Sequence, residues 1–354
     1  MKKIVFFLSF LLCYVNCYAQ TLEGTVFDNN KNPISGVSVY LDGTTLGTST
    51  DENGKYILTA NSKINTNLVF RFIGYETYFA SNVFENNFQK VYLQPKVESL
   101  EEVTISSELL SRAIKLKIFK QVFLGNTKGG LSCKILNEDD ISLRFNSKTQ
   151  TLKASSNNPI IIENDYLDYK IQFDIYNFEA ELLIDTKDVS LKSRGEGFAI
   201  KRSLYFGTTS YTDIAQNQKV KEKRNKAYYG SSKHFFQNLS NDNWNKDEFL
   251  LFKGKYQTNP KLHFAIEKQG DLKKITVLHN QKNEVLLNKK TDFYATFNVL
   301  FNKRKQSKIA FYTDTLYVDS YGNTSNISDI EYGGIFSNSK VGDMLPMDFI
   351  PSQK

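Results

Sequence analysis

Between residues 21 and 94 every apolar run is short, β-branched or aromatic, and is closed by Asn, Asp, Gly or Pro. A helix needs a longer apolar stripe at a period near 3.6, so this stretch is restricted to strands joined by tight turns. It opens Leu22-Glu23-Gly24-Thr25-Val26-Phe27, passes through Pro33-Ile34-Ser35-Gly36-Val37 and turns at Asp51-Glu52-Asn53-Gly54-Lys55. The expected result is a small antiparallel sandwich.

Local chemistry sharpens that expectation. Val37, Val39 and Leu41 alternate with Ser38 and Tyr40 at the period of a half-buried strand, and Tyr56, Leu58 and Ala60 resume it. Asp51 is suited to accept backbone N–H bonds at the head of the turn, and Gly54 to supply a positive φ. Leu22, Thr25 and Phe27 read as an edge-like strand, the run from Leu68 to Ile73 as a central one, and Val91-Tyr92-Leu93 as the closing strand.

The succession Gly24-Thr25-Val26, Pro33-Ile34-Ser35-Gly36-Val37, Gly47-Thr48-Ser49-Thr50-Asp51, Asn53-Gly54-Lys55-Tyr56 and Phe72-Ile73-Gly74-Tyr75-Glu76 resembles the carboxypeptidase regulatory-like domain, a Greek-key, transthyretin-like β-sandwich. The resemblance covers residues 20–95. It implies a module without an active site of its own, one that accompanies catalytic or transport domains. In TonB-dependent outer-membrane transporters a segment like Leu100-Glu101-Glu102-Val103-Thr104-Ile105 follows it. Neither companion fits the rest of this chain. A zinc carboxypeptidase needs a His-x-x-Glu pair, yet His234 is followed by Phe235-Phe236-Gln237, His263 by Phe264-Ala265-Ile266 and His279 by Asn280-Gln281-Lys282. A transporter barrel of about twenty strands of ~10 residues plus a plug exceeds the remaining length.

The first nineteen residues carry Lys2-Lys3, an apolar run over residues 4–15 and a terminal Cys17-Tyr18-Ala19. This is the layout of a signal peptide, with cleavage expected after Ala19 and export to the periplasm or outer membrane. Cys17 raises a lipidated alternative, which Val15-Asn16 before it disfavours. Cleavage removes Cys13 and Cys17 and leaves Cys133 alone, so the exported chain has no disulfide to form. It also lowers the formal net charge from +7 to +5. The remaining charges are interspersed, which argues against nucleic acid as a partner. No later apolar run is long enough for a membrane helix.

Residues 96–106 read as a linker and residues 107–354 as a larger β-rich α+β domain with an antiparallel sheet. Leu110, Ile114, Ile118 and Val122 recur every four residues, which predicts a helix over 107–123, stopped by Gly125-Asn126. Arg112, Lys115, Lys117 and Lys120 on its polar side admit an interfacial membrane helix, but packing on the following sheet is the preferred reading. Strands are expected at residues 131–136, 141–145, 149–154, 160–162, 167–175 and 178–184, and a helical cover at 213–239. Further strands are expected at 249–252, 272–278, 284–287, 293–300 and 308–318. Asn157-Asn158-Pro159-Ile160, Tyr229-Gly230-Ser231-Ser232 and the apolar, turn-rich tail around Val341-Gly342-Asp343 and Asp348-Phe349-Ile350-Pro351 resemble the second half of uncharacterised exported bacterial proteins with this sandwich.

Candidate chemistry thins out on inspection. The basic run Lys219 to Lys226 suits anionic lipid or polysaccharide, but is first a solvated helix face. Ser231, Ser232 and His234 lie close in sequence without a nucleophile elbow. Cys133, placed on one strand face with Leu131 and Ile135, reads as a buried inert thiol. Asp51, Glu52 and Asn53 offer too few oxygens for calcium. Asp314 and Asp319 read as solvated carboxylates. No residue is nominated as catalytic, cofactor-binding or metal-binding, and no cofactor is expected. The sequence points to a non-enzymatic envelope protein that binds or assembles with a protein, glycan or lipid partner. A glycan- or peptide-directed hydrolase and a lipid or lipoprotein carrier are the alternatives.

Overall fold

The computed structural model describes residues 20–85, 88–96, 110–184, 198–244, 248–278, 294–325 and 327–352. The signal-peptide reading of residues 1–19, His279, the strand at 284–287 and almost all of the linker lie outside the described residues. The protein is mostly β, with several antiparallel sheets and four helices among the described residues. The chain divides into two compact units, one comprising Met1–Tyr40 with Leu46–Val97, the other Leu41–Thr45 with Glu98–Lys354.

In the first unit, β1 (Gln20–Phe27), β4 (Lys55–Ala60) and β7 (Phe88–Tyr92) form one sheet, while β2 (Ser38–Leu41), β3 (Gly47–Ser49), β5 (Leu68–Arg71) and β6 (Tyr78–Ala80) form the other. The sheets meet through inward side chains such as Tyr56 on β4 and Phe70 on β5, whose rings lie 5.3 Å apart edge to face. β1 is not an edge strand. It is central, antiparallel to β4 on one side and parallel to β7 on the other. The polar residues along β1 hid this, because the strand is buried through Leu22, Thr25 and Val26 and takes its second partner from far along the chain. Gly24 permits the pairing: a Cβ there would lie 2.1 Å from Gln89 O and 2.8 Å from the Tyr56 ring.

The second unit opens with α1 (Arg112–Phe123), capped by the Ser111 side chain, and the single turn α2 (Lys128–Leu131). Then follow β8 (Cys133–Ile135), β9 (Ile141–Asn146), β10 (Thr151–Ser156), β11 (Ile160–Asn164), β12 (Tyr169–Ile184) and β13 (Phe198–Asp213). The strand order is β8-β11-β12-β10-β9, with β13 on the other side of β12. α1 covers this sheet: the Phe119 ring lies 4.8 Å from Phe178, and Phe123 lies 4.8 Å from Phe173. Packing on the sheet therefore replaces the interfacial reading of α1. Arg112 donates to Ile141 O and Glu138 O, and buried Lys115 donates to Leu143 O at 2.9 Å.

Several boundaries differ from those expected. The strands over 167–175 and 178–184 are one strand, bent by a bulge at Tyr176 rather than ended there. The strand over 131–136 shrinks to β8, because Thr127 caps α2 and leaves Leu131 at 75% exposure. β13 was not anticipated at all, since Leu204-Tyr205-Phe206 breaks its alternation.

The cover at 213–239 is two helices, α3 (Gln218–Tyr228) and α4 (Ser232–Ser240), each capped by its preceding Asn217 or Ser231 side chain. Gly230, at φ +88°, breaks the helical path between them. α4 buries Phe235, Phe236 and Leu239 in a second core with Phe249, Val299 and Ile309. That core is built from β14 (Phe249–Lys253), β15 (Tyr256–Gln257), β18 (Ala295–Phe301), β19 (Lys305–Phe311) and β21 (Ile330–Gly334), and from a sheet of β16 (Phe264–Gln269), β17 (Leu272–Val277) and β20 (Thr315–Val318). The strand expected at 308–318 is thus two, β19 and β20, in different sheets.

Candidate functional site

A cluster of charged groups in the second unit surrounds Arg224. It falls four residues after Val220 and four before Tyr228, so it lies on the buried stripe of α3 while Lys219, Lys221 and Lys226 stay exposed. Its Nε donates to Leu167 O at 2.8 Å and its Nη2 to Asp168 O at 2.9 Å. Nη1 sits 2.7 Å from Asp213 Oδ1, in ion-pair contact without a well-aligned hydrogen bond, and the guanidinium lies 3.6 Å from the Tyr169 ring centroid. The basic run is therefore solvated on one side only, and its arginine ties α3 to the β11–β12 connection. An open hollow of 400 Å³ lies beside it, lined by Arg224, Lys221, Asn225, Asp213 and Asp348 among others. Two of its polar groups are engaged within the fold: Asp348 accepts from Thr45 N at 3.0 Å, and Asn225 donates to Ser352 Oγ at 2.6 Å.

Ser231, Ser232 and His234 do not form a nucleophile and base. Ser231 Oγ accepts from the backbone N of His234, as an N-cap. The buried His234 ring accepts from Gly230 N at Nδ1 (3.1 Å) and faces Glu248 through Nε2 at 3.3 Å. An Nδ1 that accepts places the ring proton on Nε2, directed at the carboxylate. His263 is also committed, through Nε2 to Thr258 Oγ1 at 2.8 Å, and burial pushes its pKa down.

Lys233 and the C-terminal tail form a third cluster. Lys233 Nζ donates to Pro346 O at 2.9 Å and Met347 O at 2.8 Å. Burial pulls its pKa down to about 8 against the opposing pull of Asp319 and Asp348. A smaller, mainly apolar hollow of 240 Å³ adjoins it, with Phe236, Tyr332 and Met344 in its wall. Asp319 is not solvated. It is 3% exposed and accepts from Tyr321 N, Asn323 N and Asn323 Nδ2, holding the turn after β20. Asp314, by contrast, is exposed.

The tail closes on α2 through glycines. A Cβ on Gly342 would lie 2.4 Å from Gly130 Cα, and one on Gly129 would lie 2.2 Å from Gly342 O. The buried Asn164 side chain donates to Gly342 O at 2.9 Å, and Thr127 donates to the Asp343 carboxylate. Burial raises the Asp343 pKa. Cys133 is half-buried rather than enclosed, and Leu131 does not share its face. Its thiol donates to Gly129 O at 3.3 Å, and burial, with Asp343 and Asp165 nearby, pushes its pKa up to about 12. Such a thiol is not a nucleophile at neutral pH.

In the first unit Asp51 Oδ1 accepts from Asn53 N and Lys55 N, both at 2.8 Å, with Gly54 at φ +70°. Turn geometry accounts for this acidic cluster without an ion. Among the described residues no group of three or more His, Cys, Asp or Glu side chains is placed to hold a metal. None of their helices is long and apolar enough to cross a membrane, which leaves strands untested.

The inward roles of Arg224, Lys115, Lys233 and Glu248 were missed in the sequence. A signal existed for Arg224, in the i, i+4, i+8 spacing of Val220, Arg224 and Tyr228. For Glu248 there was none, because nothing local to either residue shows that it lies beside His234.

Residues 22–105 match the CarboxypepD_reg-like domain family. The first unit is thus a carboxypeptidase regulatory-like β-sandwich, a non-catalytic type of module. No curated protein matches the chain. Among solved structures, a chain of a C-terminal interface mutant of the type II cohesin–X-dockerin complex from Acetivibrio cellulolyticus is 18% identical over 29% of this chain and 74% of that one. Its TM-score of 0.19 is too low to carry an argument.

Proposed function

We propose that this chain is a non-catalytic binding or assembly protein of the bacterial cell envelope, built from an N-terminal regulatory-like sandwich and a larger β-rich binding domain. The observation that carries the reading is the commitment of three of the second unit's candidate reactive side chains. Both ring nitrogens of His234, the guanidinium of Arg224 and the ammonium of Lys233 are each spent on the fold's own backbone and carboxylates. A general base or nucleophile needs a free atom directed at a reacting group. The leader-like residues 1–19 and the regulatory-like module support an envelope address.

The test uses the full exported chain, immobilised and challenged with envelope extract, beside turnover assays on peptidoglycan fragments, glycans and peptides. The expected result is saturable retention of a component that captures this chain in the reciprocal experiment, with no turnover. Turnover that disappears in His234→Ala, in a chain that still folds, would replace the reading with a hydrolase.

A further inference from the structure

Among the described residues, the longest strand pair of the second unit has one edge only partly paired. Thr209 and Tyr211 of β13 turn their backbone groups away from β12, toward Leu41–Thr45 of the same unit. Gly43 N donates to Thr209 O at 2.7 Å, Thr209 N donates to Asp42 Oδ1 at 2.7 Å, and Tyr211 N donates to Thr44 O at 2.9 Å. Thr44 and Ser210 form a parallel bridge there, so this edge already carries a short added strand. Each residue of β13 from Arg202 to Asp213 is paired in turn with β12, and the one register shift in that stretch falls on the β12 side, at Tyr176. By two-residue alternation, Ser203, Tyr205 and Gly207 therefore turn their N–H and C=O groups to the same side. Among the described residues no hydrogen bond reaches them from that side.

The same stretch presents a distinct face. Arg202, Leu204 and Phe206 share one side of the strand, with Leu204 49% and Phe206 54% exposed, and Tyr176 is 45% exposed at the bulge of β12. On the neighbouring rows Lys201 pairs with Glu181 and Lys153 with Glu179. Arg202 enters no ion pair among the described residues. A ladder of polar backbone with no partner among the described residues, beside an apolar pair and a cation, is the arrangement that recognises an added strand.

We infer that the edge of β13 at Ser203–Gly207 is a docking seam for an extended peptide segment of a partner protein, one that sets an acidic side chain against Arg202 and apolar side chains beside Leu204 and Phe206. The seam ends at Asp42–Thr44 on one side and at the irregular pairing around Lys201 on the other. A second copy paired about a two-fold axis would bring its own occupied stretch at Thr209 against that irregularity, whereas a single thin strand fits between the two limits. Main-chain bonds supply the affinity and the Arg202, Leu204 and Phe206 face the selectivity.

This inference rests on the binding reading but fails separately from it. The probe is a blocked eight-residue peptide alternating valine and threonine with two glutamates, compared with the same peptide carrying two lysines, each titrated into the full chain. The glutamate peptide is expected to bind about tenfold more tightly and to slow amide exchange at Ser203, Tyr205 and Gly207. Ser203→Pro, which removes an outward N–H that β12 does not use, is expected to weaken binding by about tenfold or more. Arg202→Glu keeps every backbone group and is expected to reverse the charge preference, which holds the test open should the proline variant not fold. Absence of binding at millimolar peptide, protection elsewhere, or indifference to either substitution would overturn the inference. A concentration-dependent dimer abolished by Ser203→Pro would overturn it in favour of self-association. Retention of an envelope component by a Ser203→Pro chain as strongly as by wild type would remove the seam and leave the binding reading standing.

Discussion

The two units hold their shape by different means. In the sandwich, stability is local: Asp51 and Gly54 fix the turn before β4, and alternating small strands bury one face each. In the second unit it is held at a distance by buried charge. Arg224 links α3 to the β11–β12 connection, Lys115 links α1 to β9, and Lys233 links α4 to the tail. Local devices tolerate change, since each governs one turn. Distant anchors do not, because removing one leaves buried polar partners without their donor.

The contrast breaks most readily at Arg224. Arg224→Ala leaves the buried Leu167 carbonyl, the part-buried Asp168 carbonyl and Asp213 without their cation, an expected loss of ~3–5 kcal/mol. The single tryptophan, Trp244, lies in the second unit, so its fluorescence in guanidinium reports that loss directly. A cost under about 1 kcal/mol would mean that the anchor is solvated and the contrast mistaken.

A pH dependence tests the same contrast at Asp42, which lies in Leu41–Thr45 of the second unit. Burial raises its pKa from 3.8 to about 6, against the bonds it accepts from Thr209 and Gly43. Below pH 4 the carboxyl is protonated whether folded or unfolded. Between pH 4 and 6 the unfolded chain releases the proton while the folded chain retains it, so folding loses stability as pH rises through that window. Asp42→Asn cannot ionise. It should match wild type below pH 4 and exceed it above pH 6, by up to ~3 kcal/mol at 1.36 kcal/mol per pKa unit. Parallel stability curves would place Asp42 in water.

The tail contact is a steric version of the same device. Gly342→Ala sets a Cβ against backbone that has no flexible end to give way, an expected cost of ~1–3 kcal/mol in the Trp244 transition. In the sandwich, Asp51→Ala removes two exposed turn bonds, for about 1 kcal/mol, read by far-UV circular dichroism with the Trp244 transition unchanged. If Asp51→Ala cost more than Gly342→Ala, local turns would dominate in both units.

That division also explains what could be read in advance. Asp51, Gly54 and the alternation through Tyr56, Leu58 and Ala60 are short-range signals, and the turn and strand they mark are found. The central place of β1 was hidden because its parallel partner β7 lies more than sixty residues away. In the second unit, strands with a clean dry face, such as β9 and β11, were legible. β13 was not, since an edge strand that presents Leu204 and Phe206 outward loses the alternation that marks burial. Asp319 looked solvated because nothing local shows that its turn is buried. Arg224 looked like one more exposed cation in a basic helix. For the candidate site, sequence could exclude the zinc-peptidase pattern, but only coordinates show that His234 and Lys233 are spent on the fold.

The central claim is that His234, Arg224 and Lys233 serve the architecture, which is what the proposed binding role rests on. The most direct measurement is a nitrogen-edited NMR spectrum of the imidazole of His234 in the full chain. The expected result is the tautomer protonated at Nε2, with Nδ1 accepting from Gly230 and a ring proton slow to exchange. A ring protonated at Nδ1, with Nε2 open to solvent and exchanging freely, would expose an available base and contradict it.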